Sequence, residues 1–420
     1  MQFRYKVILL ILLVLLASTS AVPQKRIDDL RPTLILIALD GFRFDYLERH
    51  NPKFLRKLAA NGVRAKWMTP SFPTKTFPNH YTIATGLYPE NHGIIANNIY
   101  DPGSGSIFKL SKREEVQNPK WWGGEPIWVT AEKAGQKAGA FFFPGTETEI
   151  KGVLPTVWRN YDGSIPNRTR VKTLLSWFDR PAEERPTFMT LYFSDVDDAG
   201  HWTSPLSGET GKAVRSVDKE IRYLYKGLQK RGIRDKVNVV IVSDHGMAKV
   251  RRENRIVLDT LFDTSDARHI FWVGELVQIF PKEGKTDAIY SSIASKLPAT
   301  AQVYKRDELP ERYHYSKHKS IAPILVLPKE GWVLRTQDRL KRDYDRLPPG
   351  SSGGSHGYDN EVESMRALFV AHGPAFKKGY VSEPFRNIEV YNLLCKVLGL
   401  TPAPNDGTQG SLDDLLKPAP

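Results

Sequence analysis

The stretch "VNVVIVSDHG", residues 237–246, decides the fold class, because a run rich in β-branched residues leads directly into Asp244 and His245. Two other stretches have the same form: "LILIALD" at residues 34–40 and "TFMTLYFSDVD" at residues 187–197. Short apolar runs of this kind are typical of strands whose two faces are both buried. We therefore predict three buried, parallel strands that all end in acidic residues.

Helical patterns separate these predicted strands. Two segments have apolar residues at helical spacing: Val171, Leu174, Leu175 and Phe178 in one, and Val214, Val217, Ile221, Leu224 and Leu228 in the other. Alternation of strands and helices predicts an α/β fold with a central, mostly parallel sheet flanked by helices on both faces. Such sheets bind ligands at the carboxyl ends of their strands. Loops or a tail are expected in the Pro/Gly-rich patches at 102–106, 347–357 and 402–410.

Residues 1–21 have the pattern of a secretory signal peptide. Arg4 and Lys6 precede the apolar stretch "VILLILLVLLA", and the small residues "TSA" at 19–21 offer a cleavage site. The prediction is a secreted or periplasmic protein with no stable membrane anchor after cleavage, and an uncleaved N-terminal anchor is the alternative. No later apolar run approaches the length of a membrane span.

The chain has one cysteine, Cys395, so an internal disulfide is excluded. An exported protein without disulfides fits a bacterial envelope or secreted protein better than an animal ectodomain. Cys395 lies at helical spacing with Ile388, Tyr391, Leu394 and Leu398, and we predict that it is a core residue.

The net charge of +13 favours anionic partners, but it does not by itself indicate nucleic acid. Two of these charges, Arg4 and Lys6, lie in the N-terminal segment. Runs such as "KRGIRDK" and "KVRRENR" are typical of solvated surfaces, and the sequence has no nucleic-acid-binding motif.

Candidate metal ligands stand at the ends of the predicted strands and in one glycine-rich stretch. They are Asp40, Asp197, His201, Asp244, His245 and His356. Asp195 and Asp198 compete with Asp197, and the four-residue spacing to His201 favours Asp197.

Carboxylate and imidazole groups are the usual ligands of catalytic zinc, and three of each suit two zinc ions. Two metals about 4 Å apart can clamp the attacking and leaving oxygens of a phosphoryl displacement. Taken singly, each residue could instead be a turn former, a helix cap or a solvated histidine.

Thr76 is the candidate nucleophile, in the stretch "SFPTKTFPNHYTIATGLYPENHG" at residues 71–93. Pro78 suits the first turn of a helix that we predict through residues 79–85, so Thr76 would lie at a helix N-terminus that favours negative charge. Coordination to zinc would lower the pKa of the threonine hydroxyl, as it does for bound water. The alternative is that Thr76 serves only as an N-cap.

Several stretches, in this order, closely resemble the nucleotide pyrophosphatase/phosphodiesterase family of the alkaline phosphatase superfamily. They are "ALDGFRFDYL", "TKTFPNHYTIATGLYPENHGIIANNIYDP", "WWGGEPIWVTAEKAG", "FFFPGTE", "LYFSDVDDAGH", "IVSDHGM" and "SHGYDN". The resemblance covers roughly residues 32–400. It implies an alkaline phosphatase-like fold, with a single catalytic domain containing insertions at 30–403 and a C-terminal tail at 404–420. The accessory domains of vertebrate members are absent, so the chain resembles the bare catalytic domain of bacterial members.

The resemblance also implies the roles of individual residues. Its first zinc would be held by Asp40, Thr76, Asp244 and His245, and its second by Asp197, His201 and His356. Thr76 would form a covalent nucleotidyl intermediate, and Asn97 would donate a hydrogen bond to a non-bridging phosphate oxygen, with the adjacent Asn98 as the alternative. Phe77, Tyr161 and Tyr192 match aromatic positions that stack on a nucleotide base.

The expected function is therefore that of an exported two-zinc phosphodiesterase and pyrophosphatase that releases nucleoside 5′-monophosphates from small nucleotide or dinucleotide substrates. One alternative is a lysophospholipid or choline phosphodiesterase, with a cage drawn from Trp121, Trp122 and the three aromatic residues above. Others are a phosphomonoesterase of the same superfamily and a non-catalytic phosphate-binding ectodomain. A sulfatase is disfavoured, because sulfatases need a modified Cys or Ser where this chain has Thr76.

Overall fold

A computed structural model describes residues 26–272 and 275–418, and an eight-stranded sheet forms its centre. In chain order its strands are β1 (Thr33–Leu39), β2 (Val63–Ala65), β3 (Ala138–Phe141), β4 (Val157–Trp158), β5 (Phe188–Phe193), β6 (Val237–Val242), β7 (Phe369–His372) and β8 (Tyr380–Ser382). Across the sheet they are ordered β8-β2-β7-β6-β1-β5-β3-β4. Only β7 is antiparallel to its neighbours, β2 and β6. The prediction of an α/β fold with a mostly parallel sheet is confirmed.

Helices cover both faces of this sheet. Every residue of β1, β5 and β6 is buried, which requires cover on each side. In one set of helices, Lys53–Asn61 and Asn167–Trp177 both contact Gly208–Lys230. In a second set, Thr76–Thr85 and Ile127–Lys133 both contact Val390–Leu398. The apolar stripes predicted at 171–178 and 214–228 belong to the first set. Cys395 is fully buried in the second, as predicted.

The register of the central strands brings their carboxyl ends together. Leu39 pairs with Phe193, and Ala38 pairs with Val242, so β1, β5 and β6 end at the same level. Asp40 directly follows β1, and Asp244 lies two residues beyond β6. A helix, Asp195–Thr203, begins two residues after β5. This edge therefore gathers Asp40, Asp197 and Asp244. The expectation that Asp197 ends a strand was wrong, because β5 ends at Phe193 and Asp197 lies in the first turn of the helix that follows.

A second sheet has its own hydrophobic core. It is antiparallel, with strands Ala267–Trp272, Val277–Pro281, Ile324–Pro328 and Ala301–Lys305 in that order. The helix Thr286–Lys296 contacts its edge strand. Short strands outside the two sheets pair Met68–Thr69 with Phe385–Arg386, Asn98–Tyr100 with Ile107–Lys109, and Arg255–Val257 with Val333–Arg335. The remaining helices include Tyr46–Arg49, Pro89–His92, Arg113–Val116 and Gln337–Arg346.

The glycine-rich stretch at 347–357 is not a loop throughout. Ser352–Ser355 forms a strand antiparallel to Ala248–Arg251, so that part of the loop prediction was wrong. The reason is close packing: a Cβ at Gly353 would lie 2.6 Å from the carbonyl oxygen of His201. Glycine allows this strand to lie against the helix that ends in Thr203, and the strand delivers His356 to the sheet edge.

The structure describes the C-terminal end of the chain nearly to its last residue, but not the N-terminal segment. Residues 1–21, for which we predicted a signal peptide, lie outside the described residues. Residues expected to form a tail from 404 pack on the domain: Leu415 is fully buried, and Asp406 accepts a hydrogen bond from the backbone of Tyr88 at 2.7 Å. Within 26–272 and 275–418, each helix is too short or too polar to cross a membrane.

Candidate active site

The first group of candidate metal ligands consists of Asp40, Asp244 and His245, all of them buried. One ligand atom from each residue can be chosen so that all three lie within 4.8 Å of one another. His245 Nε2 is 2.9 Å from Asp244 Oδ2 and 3.4 Å from Asp40 Oδ1. Three donor atoms that converge in a buried space can hold one ion.

The second group consists of Asp197, His201 and His356, with the same mutual spacing of ligand atoms. His201 Nε2 is 3.4 Å from Asp197 Oδ2, and His356 Nε2 is 3.7 Å from Asp197 Oδ1. Asp195, the competitor of Asp197, instead accepts hydrogen bonds from the Asn167 amide at 2.8 Å. The structure thus brings together the six candidate residues in two adjacent groups, joined by stacking of His245 on His356 at 3.5 Å between ring centroids.

The three histidines are oriented by backbone carbonyls. His201 Nδ1 donates to Gly354, His245 Nδ1 to Gly246, and His356 Nδ1 to Thr74, at 2.9, 2.8 and 2.8 Å. A histidine whose Nδ1 is held in this way presents the lone pair of Nε2. Burial and the neighbouring positive charges hold the pKa of His356 well below its usual range, which keeps that imidazole neutral and able to ligate.

The carboxylates of the two groups are also suited to bind metal ions. Asp40 Oδ1, Asp197 Oδ1 and Asp244 Oδ2 are buried and have no hydrogen-bond partner among the described residues. Burial raises the pKa of Asp40, and the charges of Asp244 and Asp197 raise it further. Buried oxygens that lack hydrogen bonds and repel each other are costly unless cations neutralise them. These residues therefore fit divalent metal ions.

Gly41 allows the two groups to approach each other. Its φ of 66° is in the left-handed region, and a Cβ at this position would lie 2.9 Å from the Cα of Asp197. Its backbone N–H also donates to Asp244 Oδ1 at 3.2 Å. A larger residue after Asp40 would push the helix that carries Asp197 away from the first group.

Thr76 is the first residue of the helix Thr76–Thr85, so the predicted position at a helix N-terminus is confirmed. The N-cap position belongs to Lys75, and no side chain caps the helix. The alternative of Thr76 as an N-cap is therefore wrong. Its Oγ1 lies 3.4 Å from His245 Nε2 and lines an open cavity. The hydroxyl thus combines access to a ligand with the positive end of a helix dipole.

Asn97 lines the same cavity as Thr76 and several of the candidate metal ligands. Its Oδ1 accepts a hydrogen bond from the backbone N–H of Phe77 at 3.0 Å. Its Nδ2 has no acceptor among the described residues, and Asn97 lines two cavities that meet here. Asn98 begins the strand Asn98–Tyr100 and lines neither cavity. The geometry therefore favours Asn97 over its neighbour as a donor.

An aromatic cavity of about 370 Å³ extends from Thr76. The three predicted aromatic residues, Phe77, Tyr161 and Tyr192, all line it. Tyr161 is 44% exposed, whereas Tyr192 is buried and donates its hydroxyl to Asp40 Oδ2 at 2.6 Å. Tyr192 thus has a second role that its position in the sequence did not indicate, since it holds a candidate metal ligand.

Trp121 and Trp122 do not line this cavity. Both are buried, and Trp122 packs beneath Phe77 at 6.1 Å between ring centroids. Trp122 therefore supports the ring of Phe77, whereas Trp121 packs on Phe108. The aromatic cage considered from the sequence is therefore reduced to Phe77, Tyr161 and Tyr192.

A buried ion pair that the sequence did not indicate lies beside the second group of ligands. Lys75 bonds to the carboxylate of Glu275 and donates to the carbonyl oxygen of His356 at 2.7 Å. Glu275 also accepts a hydrogen bond from Ser355. These contacts hold the His356 backbone against the residue that precedes Thr76. Nothing in the spacing of residues 75 and 275 could have signalled the pair.

We expect Glu275→Gln to lower both stability and occupancy of the second ligand group. The side chains of Lys75 and Glu275 are only 7% and 6% exposed, so the ammonium would face a neutral amide in a buried space. Loss of one partner of such a pair costs about 3–5 kcal/mol. Thermal unfolding and metal content measured on the same sample check this expectation.

Glu383→Gln provides the matched control, because Glu383 pairs with Lys66 on the surface and is 79% exposed. Exposed pairs contribute about 0–1 kcal/mol. If the Glu275 and Glu383 variants unfold at the same temperature and hold the same amount of metal, the buried pair does not hold His356 in place.

Comparison with known proteins identifies the family. The family model for type I phosphodiesterase / nucleotide pyrophosphatase matches residues 34–359. A venom phosphodiesterase of Crotalus durissus collilineatus is 42% identical over 394 residues, which are 91% of this chain and 46% of the relative. Ectonucleotide pyrophosphatase/phosphodiesterase family member 3 of Rattus norvegicus is 40% identical over 397 residues, 92% of this chain and 44% of the relative. The chain thus spans about half the length of these curated relatives.

Solved structures agree with this assignment. Murine ectonucleotide pyrophosphatase/phosphodiesterase 5 superposes with a TM-score of 0.85 at 35% identity, over 92% of this chain and 100% of the murine chain. An inactive threonine-to-alanine form of that murine protein, solved in complex with AMP, superposes with a TM-score of 0.84. The central mixed sheet with helices on both faces is alkaline phosphatase-like, and the chain belongs to the type I phosphodiesterase/nucleotide pyrophosphatase family.

Proposed function

We propose that this protein is a two-zinc phosphodiesterase and pyrophosphatase that releases nucleoside 5′-monophosphates from nucleotides. The observation that carries the proposal is the position of Thr76, at a helix N-terminus beside His245 and at the opening of the aromatic cavity. The names of the relatives support phosphodiesterase and pyrophosphatase chemistry.

The metal ligands proposed are those that the sequence suggested. Asp40, Thr76, Asp244 and His245 would hold one zinc ion, and Asp197, His201 and His356 would hold the second. When bound, the ions would stabilise the ionised hydroxyl and the negative charge that develops on the phosphate oxygens. Mixed nitrogen and oxygen donors with buried carboxylates suit zinc.

The residues of the chain would then act in two steps. Thr76 gives up its hydroxyl proton to solvent, and its Oγ forms a bond to phosphorus while the bond to the leaving oxygen breaks, which gives a nucleotidyl-threonine and releases the other half of the substrate. Water then attacks phosphorus and loses a proton, the bond to Thr76 Oγ breaks, Oγ takes up a proton, and the nucleoside 5′-monophosphate departs. Two displacements give net retention of configuration at phosphorus.

Asn97 would select for a diester. Its Nδ2 can donate to a non-bridging oxygen as charge develops there. A neutral amide suits a phosphate group with one negative charge, whereas a monoester would benefit from an arginine. Arg43, near Asp40 in sequence, is bound to Asp45 at 3.0 Å and to the Met247 carbonyl oxygen at 3.1 Å. These contacts favour phosphodiesters over the phosphomonoester alternative.

The aromatic cavity would take the nucleoside. Phe77 and Tyr161 offer ring faces, and the polar residues Arg113 and Glu147 lie in the same lining, paired with each other. A nucleobase has a flat apolar face and polar edges, which matches such a cavity. The AMP complex of the murine relative supports this assignment. The choline or lysophospholipid alternative has less support, because Trp121 and Trp122 are buried away from the site.

The boundaries and location of the protein form part of the same proposal. The catalytic domain would comprise residues 30–403, with the packed segment beyond it as an extension. Export by the segment at 1–21 would place the enzyme outside the cytoplasm, in the periplasm or the medium.

The test is hydrolysis of the p-nitrophenyl ester of thymidine 5′-monophosphate beside p-nitrophenyl phosphate and p-nitrophenyl phosphorylcholine, with zinc and then with a chelator. We expect fast, chelator-sensitive cleavage of the nucleotide diester. Preference for phosphorylcholine would overturn the assignment of the aromatic cavity to a nucleoside, and preference for the monoester would overturn the role of Asn97.

A further inference from the structure

A second and larger cavity, of about 750 Å³, opens beside the candidate metal ligands. Its lining shares Asn97, His201 and His356 with the aromatic cavity and includes Lys75, the residue before Thr76. The two cavities therefore meet at the candidate metal ligands. A substrate with its phosphorus atom there has one half in each cavity.

Arginine dominates the lining of this second cavity, which we call the arginine groove. Its arginines are Arg255, Arg335, Arg339, Arg342 and Arg346. Arg255 and Arg335 both bind Asp343, at 3.0 and 2.9 Å. One carboxylate thus neutralises only part of the charge of this pair.

The other three arginines have no carboxylate partner among the described residues. Arg339, Arg342 and Arg346 stand at positions i, i+3 and i+7 of the helix Gln337–Arg346, which places them on one face over about 10 Å. Partial burial lowers the pKa of Arg339, and the charges of Arg335 and Arg342 lower it further. Asp343 offsets part of this effect on Arg339, but Asp343 and Glu275 are the two carboxylates in a lining that also holds five arginines and Lys75, so the groove is suited to a row of anions.

The groove also carries an exposed aromatic surface. Trp202 follows the candidate ligand His201, lines the groove and is 84% exposed. Trp272 and Leu347 add apolar surface to the same lining. Cationic grooves with exposed aromatic side chains are typical of sites that bind single-stranded nucleic acid. The cations follow the phosphate backbone, and the bases stack on the aromatic rings.

We propose that the arginine groove is a leaving-group site that selects substrates whose departing half carries a run of consecutive phosphates, with Arg339, Arg342 and Arg346 as its specificity-determining residues. The inference rests on the proposed function, because it assigns the departing half of the same reaction. Two sources share the required chemistry: the polyphosphate of a nucleotide and the backbone of a single-stranded oligonucleotide. The experiment below distinguishes them.

The kinetic test compares three substrates: the p-nitrophenyl ester of thymidine 5′-monophosphate, ATP and a short oligothymidylate. In the triple variant Arg339→Gln, Arg342→Gln, Arg346→Gln, we expect kcat/KM for the phosphate-rich substrates, relative to the aryl ester, to fall roughly tenfold to a hundredfold. A triple variant of the exposed face of the helix Gly208–Lys230, with Lys219→Gln, Arg222→Gln and Lys226→Gln, removes the same charge and should leave the ratios unchanged.

Trp202→Ala separates the two sources. Loss of one stacked base costs roughly fivefold to a hundredfold in affinity. If the departing half is a single-stranded oligonucleotide, Trp202→Ala lowers the rate on oligothymidylate relative to the aryl ester. The relative rate on ATP then stays unchanged. If the triple arginine variant impairs ATP alone, the groove takes a polyphosphate. Unchanged ratios for both substrates in that variant would overturn the proposal.

A binding measurement tests the arginine groove independently of catalysis. Fluorescence anisotropy of labelled oligothymidylate on Thr76→Ala protein should show an affinity that falls with salt, and the three arginine substitutions should reduce that slope by about two. An unchanged slope excludes an oligonucleotide as the departing half, and an unchanged relative rate on ATP in the same variant then overturns the proposal. Wild-type protein that binds the strand but does not cleave the aryl ester would instead contradict the proposed function.

Discussion

The Thr76→Ala protein is expected to lose phosphodiesterase activity by roughly 10⁴-fold or more while remaining folded and metal-bound. The variant removes the oxygen that we propose forms the bond to phosphorus, and the remaining donors can only polarise the substrate. Thr76 is partly exposed, and its side chain caps no helix, so the unfolding free energy should change by about 1 kcal/mol or less. Hydrolysis of the p-nitrophenyl ester of thymidine 5′-monophosphate measures the loss.

Thr76→Ser is the matched variant, because it keeps a hydroxyl at the same helix N-terminus. Its rate should fall far less than that of the alanine variant. Trapping of the covalent intermediate gives a second readout. Wild-type protein that is denatured in acid during turnover should carry a covalently bound nucleotide, and the alanine variant should carry none. An alanine variant with more than about a tenth of the wild-type rate would contradict nucleophilic catalysis by Thr76.

The core of the fold and most of the candidate site could be predicted from the sequence. The apolar runs that lead into Asp40, Asp197 and Asp244 determine where three neighbouring strands end, since parallel strands in register share one edge. Pro78 indicated the start of the helix behind Thr76. These signals are local, and each depends only on residues a few positions apart.

The remaining features depend on contacts between distant segments. Lys75 and Glu275 are 200 positions apart, and the contact of His201 with the Gly354 carbonyl spans 153. The glycines of the strand Ser352–Ser355 indicated a loop in the sequence. They are required because the helix at 195–203 packs too close to this strand for larger side chains. The arginine groove likewise combines residues at 255, 335 and 339–346, which appeared in the sequence as scattered surface charge.

Removal of metal is expected to abolish activity and to lower the unfolding temperature by several degrees. Asp40, Asp197 and Asp244 each have a buried oxygen without a hydrogen-bond partner among the described residues, and without cations these carboxylates repel each other. An ion that binds only the folded state, at a concentration of about 1,000 times its Kd, stabilises that state by about 4 kcal/mol. Calorimetry before and after chelation measures this difference, and elemental analysis should count two zinc ions per chain.

Two aspartate variants make this expectation specific to the site. Asp244→Asn should lower the zinc content and reduce the stabilisation by added zinc, because it removes a charged ligand of the first group. Asp218→Asn is the control: Asp218 is also buried, but it accepts hydrogen bonds from the backbone of Phe54 and Leu55 away from the site. It should keep the full zinc content even if it lowers stability. Equal zinc content in the two variants, or equal unfolding temperatures with and without chelator, would show that the buried carboxylates are not metal ligands.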